Sequence, residues 1–235
     1  MRDGSMNGAA AVGSNAVRVW DLPTRLFHWS LATLVVASVI TAQIGGNAMA
    51  WHFRSGCAVF ALLAFRLLWG VMGGRWSRFA SFIQAPATML RYLRSEHRPE
   101  EHLDVGHNPL GALSVLGLLA VLSAQVATGL FADDEISSAG PLVKFVSGAT
   151  SNLATSWHTN FGQWLIIALV LLHVTAILFY LLKKRQNLIR PMLTGDKPLG
   201  PGVPSSTDNL RSRGLALALL LACAAGVAWL VSLGA

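Results

Sequence analysis

Charge is what this 235-residue chain has least of: Asp, Glu, Lys and Arg together make up 12% of it, and only 11 residues are acidic. Soluble domains carry about 25% charged residues, so the composition argues against a globular soluble protein. Cysteine is nearly absent as well. Cys57 and Cys223 both fall in apolar stretches and read as small apolar side chains. There is no Cys-x-x-Cys-His and no cysteine set for an iron–sulfur cluster, which excludes both kinds of cysteine-held redox centre. The first 17 residues hold no separate apolar stretch ahead of Arg18. That argues against a cleavable signal peptide and makes the first apolar block its own targeting signal.

What the chain does have is long apolar runs, with 53% hydrophobic residues. A membrane span needs about 20 mostly apolar residues, and five blocks meet that length: 24–44, 51–72, 109–131, 156–182 and 214–234. The expected fold is an all-α integral membrane bundle of four helices plus one additional C-terminal helix. Residues 1–17 read as a flexible tail, 18–190 as the four-span unit, 191–213 as a linker with four prolines, and 214–234 as the fifth span. Residues 86–96 set Met89, Leu90 and Leu93 beside Arg91 and Arg94, the pattern of a short helix on the membrane surface. No internal repeat is present.

The net charge of +7 marks topology and not a nucleic-acid partner. Fifteen of the 18 Lys and Arg residues precede or open the first span or lie between spans two and three or four and five, all on one side. Arg54 and Lys144 occupy the other two loops, and Arg66 lies within a span. Basic loops stay cytoplasmic, so the N-terminus is expected inside and the end of the fifth span outside.

Seven histidines divide by location. His97 and His102 lie in a polar loop and His107 just ahead of the third span, while His28, His52, His158 and His173 lie within spans or at their ends. An ionisable side chain inside a bilayer is costly and is functional by default. Topology pairs the four. His28 and His173 share the cytoplasmic half, and His52 and His158 share the opposite half, so the fourth span carries one member of each pair. Fifteen residues separate His158 from His173, about 22 Å along a helix axis at a difference of about 60° around it. Two imidazoles facing each other across a bundle suit a haem iron, which takes axial ligands from opposite sides. Gly56, one turn after His52, lets a flat macrocycle lie close to its helix. Arg66 requires either an anionic partner, such as a haem propionate or a quinone headgroup, or a route by which it snorkels to the interface.

The segments Val19-Trp20-Asp21-Leu22-Pro23-Thr24-Arg25-Leu26-Phe27-His28-Trp29 and Phe65-Arg66-Leu67-Leu68-Trp69-Gly70 resemble those of a known family. So do Arg78-Phe79, Gly106-His107-Asn108-Pro109-Leu110-Gly111, Thr128-Gly129-Leu130-Phe131 and Gly140-Pro141-Leu142. The family is the prokaryotic cytochrome b561 group, which includes the b-type subunit of membrane-bound nickel–iron hydrogenases, and the resemblance covers roughly residues 17–195. It implies two haem b groups ligated by His28, His52, His158 and His173 in a bacterial inner membrane. It also implies electron transfer between the quinone pool and a periplasmic or membrane redox partner. Arg66 and His107 are candidates to bind a propionate or quinone; helix capping is the alternative for His107. The chain departs from the family in two ways. The family spacing of the last two histidines is 14, so one residue is extra here, to be absorbed by a π-bulge or by placing His158 outside the span. The fifth helix is an addition to a four-span core.

Two other functions are open to such a chain: a haem-containing anchor subunit of an oxidoreductase complex, and a histidine-based metal or proton transporter. Transport sites usually pair His with Asp or Glu, and no carboxylate lies in any of the five blocks. Self-association into a homo-oligomer is compatible with either electron-transfer reading.

Overall fold

The computed structural model describes residues 15–94, 96, 102–136 and 138–234; His97 lies outside the described residues. Among the described residues, five helices are long and apolar enough to cross a membrane. The first, α1 (Leu22–Ile44), starts where the Asp21 side chain accepts a hydrogen bond from the Thr24 N–H at 2.8 Å, with Pro23 in its first turn. It stops at Gly45, whose φ of +67° suits a residue without a Cβ. A short 3-10 turn leads directly into α2 (Met49–Met72). The short α3 (Pro86–Leu93) follows two 3-10 turns and exposes Leu90 and Leu93, as its pattern predicts for an interfacial helix. Asn108 caps α4 (Pro109–Gly129), accepting from the Gly111 N–H at 2.7 Å.

The fourth span is one unbroken helical rod from Gly148 to Leu182. It comprises α5 (Gly148–Ser156), a π-helical turn (Trp157–Gly162) and α6 (Gln163–Leu182). Its 35 residues extend about 52 Å, well beyond a hydrocarbon core of about 30 Å. After it come α7 (Ile189–Thr194) and the last span, α8 (Leu210–Ser232), capped by Asn209.

The second helix is the hub. It packs lengthwise on α1, α4 and α8, and α4 in turn packs on α6. Phe27, Val59, Leu62, Phe65, Trp69, Leu119 and Ile166 form the core, and Ala216, Leu219, Leu220 and Cys223 bring α8 against it. The added fifth helix is therefore part of the bundle. No comparable backbone contact joins α6 to α1 or α2, so the bundle is least closed between those helices.

One feature runs against the expected tail and linker. Asn15–Arg18 (β1) pairs antiparallel with Asp196–Leu199 (β2), so residues 15–17 are not tail and 196–199 are not irregular linker. The ribbon forms because Gly195, left-handed at φ +92°, aims its carbonyl at the N–H groups of Val19 and Trp20. Arg18 reinforces it by pairing with Asp196 at 2.8 Å and Asp208 at 3.0 Å. Just beyond, Asp21 is fully buried, and its carboxylate accepts from the Thr24 and Gly74 N–H groups, the Ser77 hydroxyl and the Trp69 indole N–H. A buried carboxylate is tolerable only when its acceptor sites are met in this way. The latch ties the start of α1 to the end of α2 and fixes the axial register between them.

Candidate functional site

The four intramembrane histidines meet in two pairs. The His28 and His173 rings have their centres 6.4 Å apart, and those of His52 and His158 are 5.9 Å apart. Two imidazoles bound to one metal at about 2 Å each, from opposite sides, have ring centres roughly 6 Å apart. Both pairs have that separation. Among the described residues no group of three or more His, Cys, Asp or Glu side chains converges. A metal held here draws its remaining ligands from a group of its own, as iron does in a porphyrin.

The two pairs are supported differently. Nδ1 of His52 lies 3.0 Å from the Ser38 carbonyl on α1, and Nδ1 of His158 lies 2.9 Å from the Gln125 carbonyl on α4. A carbonyl only accepts, so both Nδ1 atoms carry the proton and both Nε2 lone pairs are free to bind a metal. Ser55 completes the His52 side by donating to the His52 carbonyl at 3.0 Å and meeting the Ser38 hydroxyl at 2.7 Å. His28 instead packs edge-on against Trp29, and its Nδ1 is buried without a partner.

A cavity of about 620 Å³ adjoins the second pair, lined by Ser38, His52, Gly56, Gln125, Gly129 and His158 among others. Pockets for cofactor-sized ligands run about 300–1,000 Å³. A Cβ added at Gly56 meets nothing within 4 Å, so this glycine leaves open space on the cavity wall. Gly129 is needed for a different reason: a Cβ there lies 2.7 Å from Cε1 of His158. Val231 of α8 lines the cavity too, as do Asp133 and Asp134 from the loop after α4.

Near the first pair, Arg66 is 2% exposed, and its guanidinium carbon sits 4.9 Å from the Phe79 ring centre and 6.0 Å from that of Phe27. It does not snorkel. Its Nη1 is buried with no hydrogen-bond partner among the described residues, so a cationic donor is left unmet. His107 sits between Trp20 and Phe82, its ring centre 4.6 and 4.9 Å from theirs in tilted and edge-on contacts, with Nδ1 also buried and, among the described residues, unpartnered. Burial first, and the Arg66 charge next, push its pKa down to about 3, so the ring is neutral. Asn108 and not His107 caps α4.

The spacing of 15 residues is resolved by the π turn at Trp157–Gly162, which absorbs one extra residue and leaves His158 facing His52. Sequence reasoning missed Ser38, Ser55 and Gln125. The signal available for Gln125 was a side-chain amide in an otherwise apolar span. The two serines carried none.

Comparison with known proteins places the chain in a family. Residues 19–195 match the family described as prokaryotic cytochrome b561. A probable Ni/Fe-hydrogenase B-type cytochrome subunit of Bradyrhizobium diazoefficiens is 23% identical over 81% of this chain and 90% of its own. One from Cupriavidus necator is 26% identical over 82% and 92%, and the hydrogenase 1 subunit of Escherichia coli K12 is 26% identical over 75% and 88%. No solved structure matches. With its five apolar helices, the chain belongs to the prokaryotic cytochrome b561 family and is a multi-pass membrane b-type cytochrome, a haem b protein of electron transfer.

Proposed function

We propose that the chain holds two haem b groups, one at His28/His173 and one at His52/His158, and carries electrons between the quinone pool and a redox partner. The observation that supports this most is the pair of ring separations, 6.4 and 5.9 Å, each suited to one metal bound from both sides. Bound haem supplies reversible one-electron exchange at iron. The protein supplies the rest. Ser38 and Gln125 hold the His52 and His158 rings in the tautomer that binds iron through Nε2. The cavity at Gly56 has room for a flat macrocycle, and leucines and valines supply much of its apolar wall. Arg66 and His107 offer unmet polar atoms to a propionate or quinone oxygen beside the first pair. Fifteen residues of helix, about 22 Å, support two pairs in opposite halves of a hydrocarbon core about 30 Å thick. Two sites so placed carry an electron across most of the bilayer.

In this reading the His28/His173 pair lies on the cytoplasmic side of a bacterial inner membrane, with the N-terminus inside and the C-terminus periplasmic, and the distribution of Lys and Arg supports that orientation. The relatives are named as subunits of Ni/Fe-hydrogenases, and a hydrogenase-type protein on the periplasmic side is the partner this reading assigns. His173→Ala and His52→Ala variants of the purified chain test it. Each is expected to lose one of two haems and keep the other; retention of both by either variant contradicts the pairing.

A further inference from the structure

The extra residue between His158 and His173 forms a π turn, and π turns are rare because one backbone carbonyl loses its ordinary helical donor. Here a single residue of the neighbouring helix supplies a donor to a carbonyl of that turn. Gln125 on α4 donates from its side-chain Nε2 to the His158 carbonyl at 2.8 Å, within the π turn. The same residue accepts the His158 Nδ1–H on its backbone carbonyl at 2.9 Å. Gln125 thus grips both the backbone and the ring of His158. The direction of its amide is fixed, because a carbonyl accepts only and the NH₂ must face it. The amide oxygen then points the other way, buried and unpartnered, against Gly162. The Trp157 indole N–H is also buried and unpartnered, 2.8 Å from where a Cβ on Gly162 would stand. The missing Cβ of Gly162 is what gives the Gln125 amide its place.

We propose that Gln125 is a positioning residue for the His158 ligand, and that its side chain stabilises the π turn by which the chain keeps His158 facing His52 despite the extra residue. This rests on the reading that His158 ligates haem. The amide has no task at His28, His173 or Arg66, so its effect is confined to one site. It also has no task if the turn is an ordinary α-helix, which makes the claim separable from general packing.

The test uses the full-length haem-loaded chain, with Gln125→Leu, deletion of the exposed Asn160, and both changes combined. Electron paramagnetic resonance and redox titration read the two haems separately. Gln125→Leu should shift or abolish the signal of the His52/His158 haem and leave the other unchanged. Deleting Asn160 restores a spacing of 14 and removes the π turn, so Gln125→Leu should have no further effect in that background. If Gln125→Leu alone fails to fold but folds when Asn160 is deleted, the proposal is supported. Unchanged signals from both haems in Gln125→Leu overturn it, as does an effect of equal size, or failure to fold, in the deleted background. Absence of a second haem from the unaltered chain overturns the ligand reading itself, and this inference with it.

Discussion

Gly129→Ala decides whether the second histidine pair is built to the tolerance a metal site needs. By helix propensity alone, replacing a helical glycine by alanine is favourable by up to about 1 kcal/mol. The structure reverses that sign. The new Cβ lies 2.7 Å from Cε1 and 3.1 Å from Nδ1 of His158, whereas ordinary contact begins at 3.4 Å. The ring must retreat by roughly 0.7 Å, more than the tolerance of about 0.5 Å within which a binding constellation stays productive. The same retreat stretches the 2.9 Å bond to the Gln125 carbonyl toward the limit of hydrogen bonding. Overpacking of this kind costs about 1–3 kcal/mol, or about 5- to 150-fold in retention of whatever His158 binds. The assay is haem per chain with low-temperature visible spectra of each haem, set against Gly226→Ala on α8, where a Cβ meets nothing within 4 Å. Loss or broadening of one haem in Gly129→Ala only is expected. Two native haems in both variants would refute the reasoning.

Three further outcomes follow from other parts of the molecule. Gly56→Leu fills open space on the cavity wall, so the chain should fold and insert normally yet lack the haem at His52/His158; a full complement would show that the cavity serves another purpose. Arg66→Leu removes a buried cation that has no hydrogen-bond partner for Nη1. Losing a positive charge favours oxidised iron, so the His28/His173 midpoint should fall, by about 60 mV for each 1.4 kcal/mol of differential stabilisation. A chain that merely becomes more stable with an unchanged midpoint would assign Arg66 to packing. Acid should loosen the N-terminal ribbon. Burial raises the Asp208 pKa, but the Arg213 hydrogen bond, the Leu22 N–H and the charges of Arg213 and Arg18 outweigh it, and the net shift is downward. A depressed carboxylate contributes stability above the ordinary carboxylate range and loses it as pH falls through the folded value. Proteolysis near Arg18 should therefore accelerate only in that acid window, and Asp208→Asn should be equally susceptible at neutral pH.

The sequence was most informative where chemistry and environment conflict. Histidine in an apolar block stands out because bilayers penalise it, and hairpin topology was enough to pair the four. The count of 15 residues from His158 to His173, set against a family spacing of 14, left a bulge or a displaced His158 open, and the π turn is the bulge. What supports the ligands was hidden. Ser38 holds its ring through a backbone carbonyl that every residue possesses, and Gln125 does so in part, so only the Gln125 amide gave any sign of the support. The β1–β2 ribbon joins four residues to a partner some 180 positions away, and neither strand alternates apolar with polar residues. The burial of Arg66 rests on Phe27 and Phe79, brought to it from α1 and from the turns after α2, a convergence no local pattern announces. The packing of α8 was illegible for the opposite reason: leucine and alanine surround that helix, leaving no polar face to mark its outside.

The central claim is a count, and it is met most directly by the reduced-minus-oxidised spectrum of the purified chain, combined with haem extraction and protein quantification. Two haem b per chain, both low-spin with bis-histidine ligation, is the result the proposed function predicts. One haem per chain, or a high-spin centre at either pair, would contradict it.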